Sequence, residues 1–357
     1  MSDERVMLAG CVAVARGAID AGCRYYFGYP ITPQNDIPEY LSEHMPKAGG
    51  VFLQAESELA SINMVMGAAA AGGRAMTSSS GPGISLMQEG LSYMAGSELP
   101  GVVVNITRSG PGLGGISPTQ GDYKQATHGG GHGDYRLIVL APNSVQEMYD
   151  FMGEAFRLAD TYRNPAMILS DAILGQMKEP VVINPVRDDK TEKPWALTGA
   201  GGRDPILVKS LYLKEGEMNV HNWKLYDKYS ELAEKEAKAE VDMPDDAELV
   251  LVSFGSCSRV VQTAVSRIRE KGYKVGTVRP VTVYPFPKKQ VEDAVKKAGR
   301  ALVVEMNTGQ MLDDVRLAAS GTGSEIFFKG YPGGAVPTPL EIESEIESLY
   351  HNNGGNN

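Results

Sequence analysis

The sequence predicts an α/β protein built from two parallel-sheet units in series. Three observations carry that prediction. Over the first 185 residues, short runs rich in β-branched residues alternate with helical apolar spacing, the mark of strands joined by crossover helices. Between about Lys190 and Met243 the alternation gives way to turn-rich and strongly charged sequence. From Glu248 the alternation resumes.

Apolar residues at helical spacing over Val6–Ala21, stopped by Gly22, predict a first helix. Arg24–Gly28 (RYYFG) reads as a strand ending in the loop Tyr29-Pro30-Ile31-Thr32-Pro33. Val51–Gln54 is a second strand, and a helix of small residues follows from about Ser57 to Gly72. Ala75–Ser78 is a third strand, after which Gly81-Pro82-Gly83 opens a helix through Met94. Val102–Thr107 (VVVNIT) and Arg136–Ala141 (RLIVLA) have the composition of strands buried on both faces. Pro142-Asn143-Ser144 then caps a helix to about Asp160, and Ala166–Ser170 is the last strand of this unit. Lys224–Asp242 carries ten charges in 19 residues, with Leu225, Tyr229 and Leu232 at helical spacing. The second unit reads as strand Leu249–Phe254, helix Val260–Lys271, strand Lys274–Val278, a proline-rich crossover Pro280–Pro287, helix Lys288–Ala298 and strand Ala301–Glu305. The expected division is residues 1–190, a linker with an exposed helix at 191–243, a second unit at 244–346 and a flexible tail at 347–357.

Composition narrows the function. The formal charge of −10, with no basic tract, argues against non-specific nucleic-acid binding. No apolar run approaches the roughly 18 residues of a membrane span, and Met1–Arg5 does not open a secretory signal. Cys11, Cys23 and Cys257 are isolated, which suits a reducing cytoplasm and offers no cluster ligand set. Glycine is unevenly spread: 17 of 41 fall between Gly67 and Gly133, which points to backbone used at close quarters.

Few residues stand out as chemical. The chain contains no Walker A, GxSxG or HExxH sequence. His128 and His132 flank three glycines, a poor frame for a helical ligand pair, so loop contacts are expected of them. His44, His221 and His351 are expected on the surface. Glu56 and Glu58 sit where the VFLQ strand turns into the small-residue helix. Such a carboxylate is either a partner of the helix dipole or a group that binds and activates a heterocyclic nitrogen. Arg108 directly follows VVVNIT and faces the usual ligand crevice at the carboxyl end of a parallel strand. It suits bidentate capture of a carboxylate, or a structural ion pair. Gly81-Pro82-Gly83 either cradles an anion or makes a tight turn.

The segments GYPITP (Gly28–Pro33), QAESELASINMVMGAAAAG (Gln54–Gly72), TSSSGPGISLMQEG (Thr77–Gly90) and NITRSGPG (Asn105–Gly112) occur in this order. Together they resemble the thiamine-diphosphate-dependent 2-oxoacid:ferredoxin oxidoreductases, in particular the subunit carrying the pyrimidine-binding domain. GGGHGDYRLIVLAP, up to Pro142, is similar to the branched-chain (2-oxoisovalerate) branch, with the 2-oxoglutarate branch close behind. VVEMNTGQM (Val303–Met311) and KGYPGG (Lys329–Gly334) extend the resemblance through the second unit.

The resemblance implies a thiamine-diphosphate-binding-type parallel-sheet domain followed by a transketolase C-terminal-like α/β domain. It implies oxidative decarboxylation of a 2-oxoacid, with coenzyme A taking the acyl group and ferredoxin the electrons. Glu58 matches the carboxylate that hydrogen-bonds the cofactor's aminopyrimidine. Thr32 and Arg108 match substrate-holding positions, and Pro30 and Ile31 the loop packed by the cofactor. The family's GDG…N motif for diphosphate and magnesium finds no match: Gly121-Asp122 and Gly133-Asp134 are each followed by Tyr. A partner subunit is therefore expected to hold diphosphate and Mg2+. A ferredoxin-like chain, with or without a gamma subunit, is expected to hold the iron–sulfur clusters. Asn307 and Gln310 reach a neighbour's active site or make interface hydrogen bonds. The alternatives are 2-oxoglutarate as substrate, a non-catalytic assembly subunit, or a non-redox thiamine decarboxylase.

Overall fold

The computed structural model describes residues 5–185 and 191–351. Strand β1 (Arg5–Ala9) leads into helix α1 (Gly10–Asp20). Helical spacing predicts one helix here, but Arg5–Ala9 pairs antiparallel with Lys178–Val182. Residues VMLA fit either period, and the edge partner decides. The helix starts at Gly10, where a Cβ would lie 2.1 Å from the Leu174 carbonyl oxygen.

The first unit continues as β2 (Tyr25–Gly28), α2 (Asp36–Lys47), β3 (Val51–Gln54), α3 (Glu58–Ala70), β4 (Ala75–Ser79), α4 (Pro82–Leu86), α5 (Gln88–Gly96) and β5 (Gly101–Thr107). The helix expected through Met94 is thus two, broken at Met87. After β5 come α6 (Tyr123–His128), β6 (Ile138–Leu140), α7 (Val145–Tyr162), β7 (Pro165–Asp171), α8 (Ala172–Gln176) and β8 (Lys178–Val182). Ser144 caps α7, its hydroxyl accepting from the Glu147 amide at 3.1 Å. Every residue of β5 is buried. Val103 packs into one core with Met167 and Leu169, while Val102, Val104 and Ile106 pack into the other. Covering both faces is what a parallel sheet requires, and each such side chain contributes about 1.5–3 kcal/mol.

The connecting segment forms α9 (Glu217–Glu236) and β9 (Ala239–Asp242). It lies against the first unit: the Leu197 amide donates to the Ala70 carbonyl, and Lys193 pairs with Asp160 at 2.7 Å. His221, expected at the surface, is buried, with Nε2 2.8 Å from the Gly96 carbonyl. The second unit runs β10 (Leu249–Val252), α10 (Gly255–Glu270), β11 (Val275–Pro280), β12 (Thr282–Tyr284), α11 (Lys288–Ala298), β13 (Arg300–Glu305), α12 (Gln310–Ala318), β14 (Glu325–Gly330) and α13 (Pro339–His351).

Strand orders are β12-β6-β7-β5-β4-β2-β3 and β14-β13-β10-β11-β9, with β1-β8 apart. The expected proline-rich crossover therefore contains β12, which joins the first unit's sheet antiparallel to β6. The last four residues of the expected linker's α9–β9 stretch, Ala239–Asp242, form an edge strand of the second sheet. The expected tail is helical as far as His351 because Ile346 is buried and Leu349 and Tyr350 pack beside it on the second core; residues 352–357, and the boundary at 186–190, lie outside the described residues. Among the described residues no helix is long and apolar enough to cross a membrane. Both units are α/β layers on mainly parallel sheets, the class expected.

Candidate active site

Strand order reverses between β2 and β4: the chain runs from β2 outward to β3, then returns to the other side of β2. Open parallel sheets bind ligands in the crevice at the carboxyl ends of strands at such a switch point. The loops leaving β2, β3, β4 and β5 all meet there.

Glu58 is the first residue of α3, and the Ser57 hydroxyl caps that helix by accepting from the Ala60 amide at 3.2 Å. Two residues of spacing separate the two carboxylates sharply. Glu56 is exposed, whereas Glu58 is 5% exposed. Its Oε1 accepts from the Ser79 hydroxyl at 3.3 Å. That is its one hydrogen bond among the described residues, although a carboxylate can accept about four. Gly83 lies against it: a Cβ there would sit 2.3 Å from Glu58 Oε1. A buried carboxylate with unused acceptor capacity suits a ligand that donates or shares a proton.

Arg108 follows β5 directly. Its Nη1 donates to the Thr32 carbonyl at 3.0 Å and its Nη2 to the Leu113 carbonyl at 3.3 Å. Its Nε is buried without a partner. Gly81, at φ +48°, allows the approach, since a Cβ there would lie 3.2 Å from that nitrogen. The turn Gly81–Gly83 thus lies between both charged side chains, touching Arg108 at one end and Glu58 at the other. It is a close-approach turn, and α4 behind it is only five residues long.

Thr32 is exposed, and its carbonyl rather than its hydroxyl meets Arg108. Pro30 is exposed and Ile31 half-buried. Pro30 lines a groove of about 300 Å³ with Gly28, Asn35, Phe52 and Gln54. The structure therefore joins Thr32 to Arg108 directly and Arg108 to Glu58 through the Gly81–Gly83 turn, with Pro30 and Ile31 on the loop that carries Thr32.

Sequence reasoning missed the polar residues beneath. Tyr26, Gln34 and Ser78 are fully buried and hydrogen-bonded to one another. Asn105, on β5, donates to Asp122 at 3.0 Å, and burial raises the Asp122 carboxyl despite that bond. A strand register was needed to find either group; a polar residue inside a predicted buried strand, as in VVVNIT, was the available signal.

Other candidates fall elsewhere. Asn307 donates to the Gln120 carbonyl at 2.9 Å and Gln310 to the Gly121 carbonyl at 2.5 Å. Both serve contact between the chain's own two units. His128 bonds Thr127, and its Nε2 lies 4.0 Å from Asp314. The three cysteines are buried in separate places, which pushes the Cys11 and Cys23 thiols up to about 12.

Residues 16–242 match the pyruvate flavodoxin/ferredoxin oxidoreductase family, thiamine-diphosphate-binding domain, and residues 247–342 match core domain II of pyruvate:ferredoxin oxidoreductase. The chain is 50% identical over 314 residues to the ketoisovalerate oxidoreductase subunit VorB of Methanothermobacter thermautotrophicus, covering 88% of this chain and 89% of that one. It is 38% identical to the 2-oxoglutarate synthase subunit KorA of the same organism, covering 96% and 98%. Among solved structures it resembles the 2-oxoglutarate:ferredoxin oxidoreductase of Magnetococcus marinus, with a TM-score of 0.86 and 28% identity. That match covers 97% of this chain but 65% of the solved one, just under two thirds.

Proposed function

The chain belongs to the pyruvate flavodoxin/ferredoxin oxidoreductase family, and from that premise we propose that it is the pyrimidine-binding subunit of a 2-oxoacid:ferredoxin oxidoreductase. The observation that carries the proposal is the buried, under-satisfied Glu58 beside Gly83, across the turn from Arg108. Thiamine diphosphate, when bound, supplies the nucleophilic carbon and holds the electrons released as carbon dioxide departs. Glu58 holds the proton shared with the aminopyrimidine. Arg108 pairs with the substrate carboxylate, using the free Nε edge. The Thr32 hydroxyl donates to a substrate oxygen, and Pro30 and Ile31 pack on the cofactor.

The preferred substrate is a branched-chain 2-oxoacid. The 50% identity to a ketoisovalerate subunit, against 38% to a 2-oxoglutarate subunit, supports it. So does the loop after Arg108, which presents Leu113 and Ile116 at 79% and 66% exposure, apolar surface suited to an aliphatic chain. The solved 2-oxoglutarate relative favours 2-oxoglutarate as the second reading. Partner chains supply the diphosphate and Mg2+ site and the iron–sulfur clusters, coenzyme A accepts the acyl group, and ferredoxin takes two electrons per turnover. The working division is a pyrimidine-binding unit to residue 190, a connector at 191–243 and a contact unit at 244–346. Three unpaired cysteines support a cytoplasmic setting.

The test is 2-oxoacid- and coenzyme A-dependent viologen reduction by the co-purified complex and by the chain alone. The complex is expected to favour 2-oxoisovalerate over 2-oxoglutarate by at least tenfold in kcat/KM, about 1.4 kcal/mol. The chain alone is expected to be inactive. Turnover by the isolated chain, or a complex without 2-oxoacid turnover, sinks the reading.

A further inference from the structure

The β2–β4 ladder is short. It pairs Tyr25 with Ala75 and Tyr26 with Met76, then stops. Three fully buried polar side chains occupy the place where the two strands part. The Ser78 hydroxyl donates to Gln34 Oε1 at 2.6 Å. That amide oxygen can only accept, so the single Ser78 proton is committed to it. The Tyr26 hydroxyl, 2.8 Å from Ser78, must therefore be the donor to Ser78. At the far end Gln34 Nε2 donates to the Tyr29 carbonyl at 3.4 Å. Every link points the same way, from the sheet toward the loop, and bonds so aligned reinforce one another.

The loop that receives this relay carries the substrate-facing residues. The Gln34 amide donates to the Ile31 carbonyl at 3.2 Å, closing a turn with Thr32 and Pro33 at its centre. Thr32 presents its carbonyl to Arg108 Nη1, and Gln176 holds the Pro33 carbonyl at 3.1 Å. The loop's own surface is open, with Tyr29, Pro30, Thr32 and Asn35 exposed. Its fixed point is the one buried residue, Gln34. The relay is equally confined at its root: a Cβ on Gly28 would lie 2.2 Å from the Tyr26 hydroxyl.

We propose that Gln34, held by Tyr26 and Ser78, is a positioning residue that sets Thr32 against Arg108 and so tunes recognition of the 2-oxoacid carboxylate. This rests on the functional reading above. The Gln34 side chain bonds Ser78 at one end and the Tyr29 carbonyl at the other. Its loss loosens the Thr32 carbonyl and frees the Arg108 guanidinium to swing. Binding of the oxoacid therefore weakens, while steps that follow binding change little.

The experiment uses the assembled complex with Gln34→Met, which keeps the side chain's length and removes both polar ends. KM for the 2-oxoacid is expected to rise about tenfold, or 1.4 kcal/mol, with kcat within about threefold and KM for coenzyme A unchanged. Tyr26→Phe removes only the first donor, so a smaller rise of the same kind is expected. If Gln34→Met does not assemble, Tyr26→Phe carries the test on the same criterion. An active wild type with an unchanged 2-oxoacid KM in the assembled variant overturns this inference alone. Equal movement of kcat and both KM values overturns it too, because that marks general damage. A wild-type complex without 2-oxoacid turnover overturns the functional reading and this inference with it.

Discussion

Glu58 and Glu305 are both carboxylates set against the first turn of a helix, and both are out of water. Their surroundings differ completely. Glu305 accepts from the Met311 amide at 2.8 Å, the Leu312 amide at 2.9 Å and Asn307 Nδ2 at 2.8 Å. Glu58 accepts from one hydroxyl at 3.3 Å. Burying a carboxylate is costly unless hydrogen bonds offset it. Glu305 is offset from within the chain and ties α12 to β13. Glu58 is offset only in small part, by the one Ser79 hydroxyl, and keeps acceptor capacity for a further donor. The two carboxylates are alike in burial and differ in the count of donors, and that difference is what the proposed division of roles rests on.

Removing each carboxylate in turn tests whether their roles divide in this way. Glu58→Ala in the assembled complex should lower oxidative decarboxylation by about 10²–10⁴-fold, the usual range for a lost proton-handling group. Assembly and melting temperature should barely move, since one long hydrogen bond is lost. Near-normal turnover would return Glu58 to the role of a dipole partner and favour an assembly subunit.

Glu305→Ala should give the reverse. Three donors lose their acceptor in the interior, a loss of about 3 kcal/mol. For a unit of about 100 residues that lowers its melting temperature by roughly 12–24 °C. Because Asn307 also holds the Gln120 backbone, the contact between the two units should loosen first. Amide exchange over residues 119–124 should quicken before that over β5. Turnover per intact complex should stay within a few-fold. A loss of turnover with no loss of stability would show that the two carboxylates are not divided in this way.

How much of this was legible in the sequence follows the same division. β5 was legible because five of the six residues Val102–Thr107 are β-branched, which admits few readings, and Arg108 follows from its end. That a carboxylate at the start of α3 mattered was legible, but composition could not choose between Glu56 and Glu58; the family resemblance chose, and burial separates them in space. β1 was hidden because Val6–Ala9 satisfies both helical and strand periods, and its partner strand is far along the chain, with Arg5 pairing 177 positions away at Val182. β12 was hidden because prolines on both sides, Pro280 and Pro285, mark a turn by local rules. The Tyr26–Ser78–Gln34 relay was invisible because it depends on β2 and β4 being neighbours although β3 intervenes in sequence. Local pattern specifies elements; strand order specifies which polar side chains meet.

Asp171, at the end of β7, is a third buried carboxylate. Its Oδ1 accepts from the Ile173 and Leu174 amides at 2.9 and 3.3 Å, and its Oδ2 from the Ser256 hydroxyl at 2.5 Å. By donor count it belongs with Glu305. Burial nonetheless raises its carboxyl above the ordinary 3.8, and the three hydrogen bonds only partly counter this. The sign follows from proton counts. Between 3.8 and the higher folded value the native chain holds a proton that the unfolded chain has released. Stability therefore falls as pH rises through that window, and the cost is fully present above it. Asp171→Asn keeps an acceptor for both amides and removes the charge, while Ser256, which now donates to Asp171, would face an amide NH2 and accept instead. Urea midpoints of wild type and variant should lie closest below pH 3.8 and separate in the variant's favour as pH rises, by less than the Glu305→Ala change. Turnover should be unaltered at neutral pH. Parallel stability curves would mean that three donors fully offset the buried charge, and donor count alone would then predict which carboxylates cost the fold nothing.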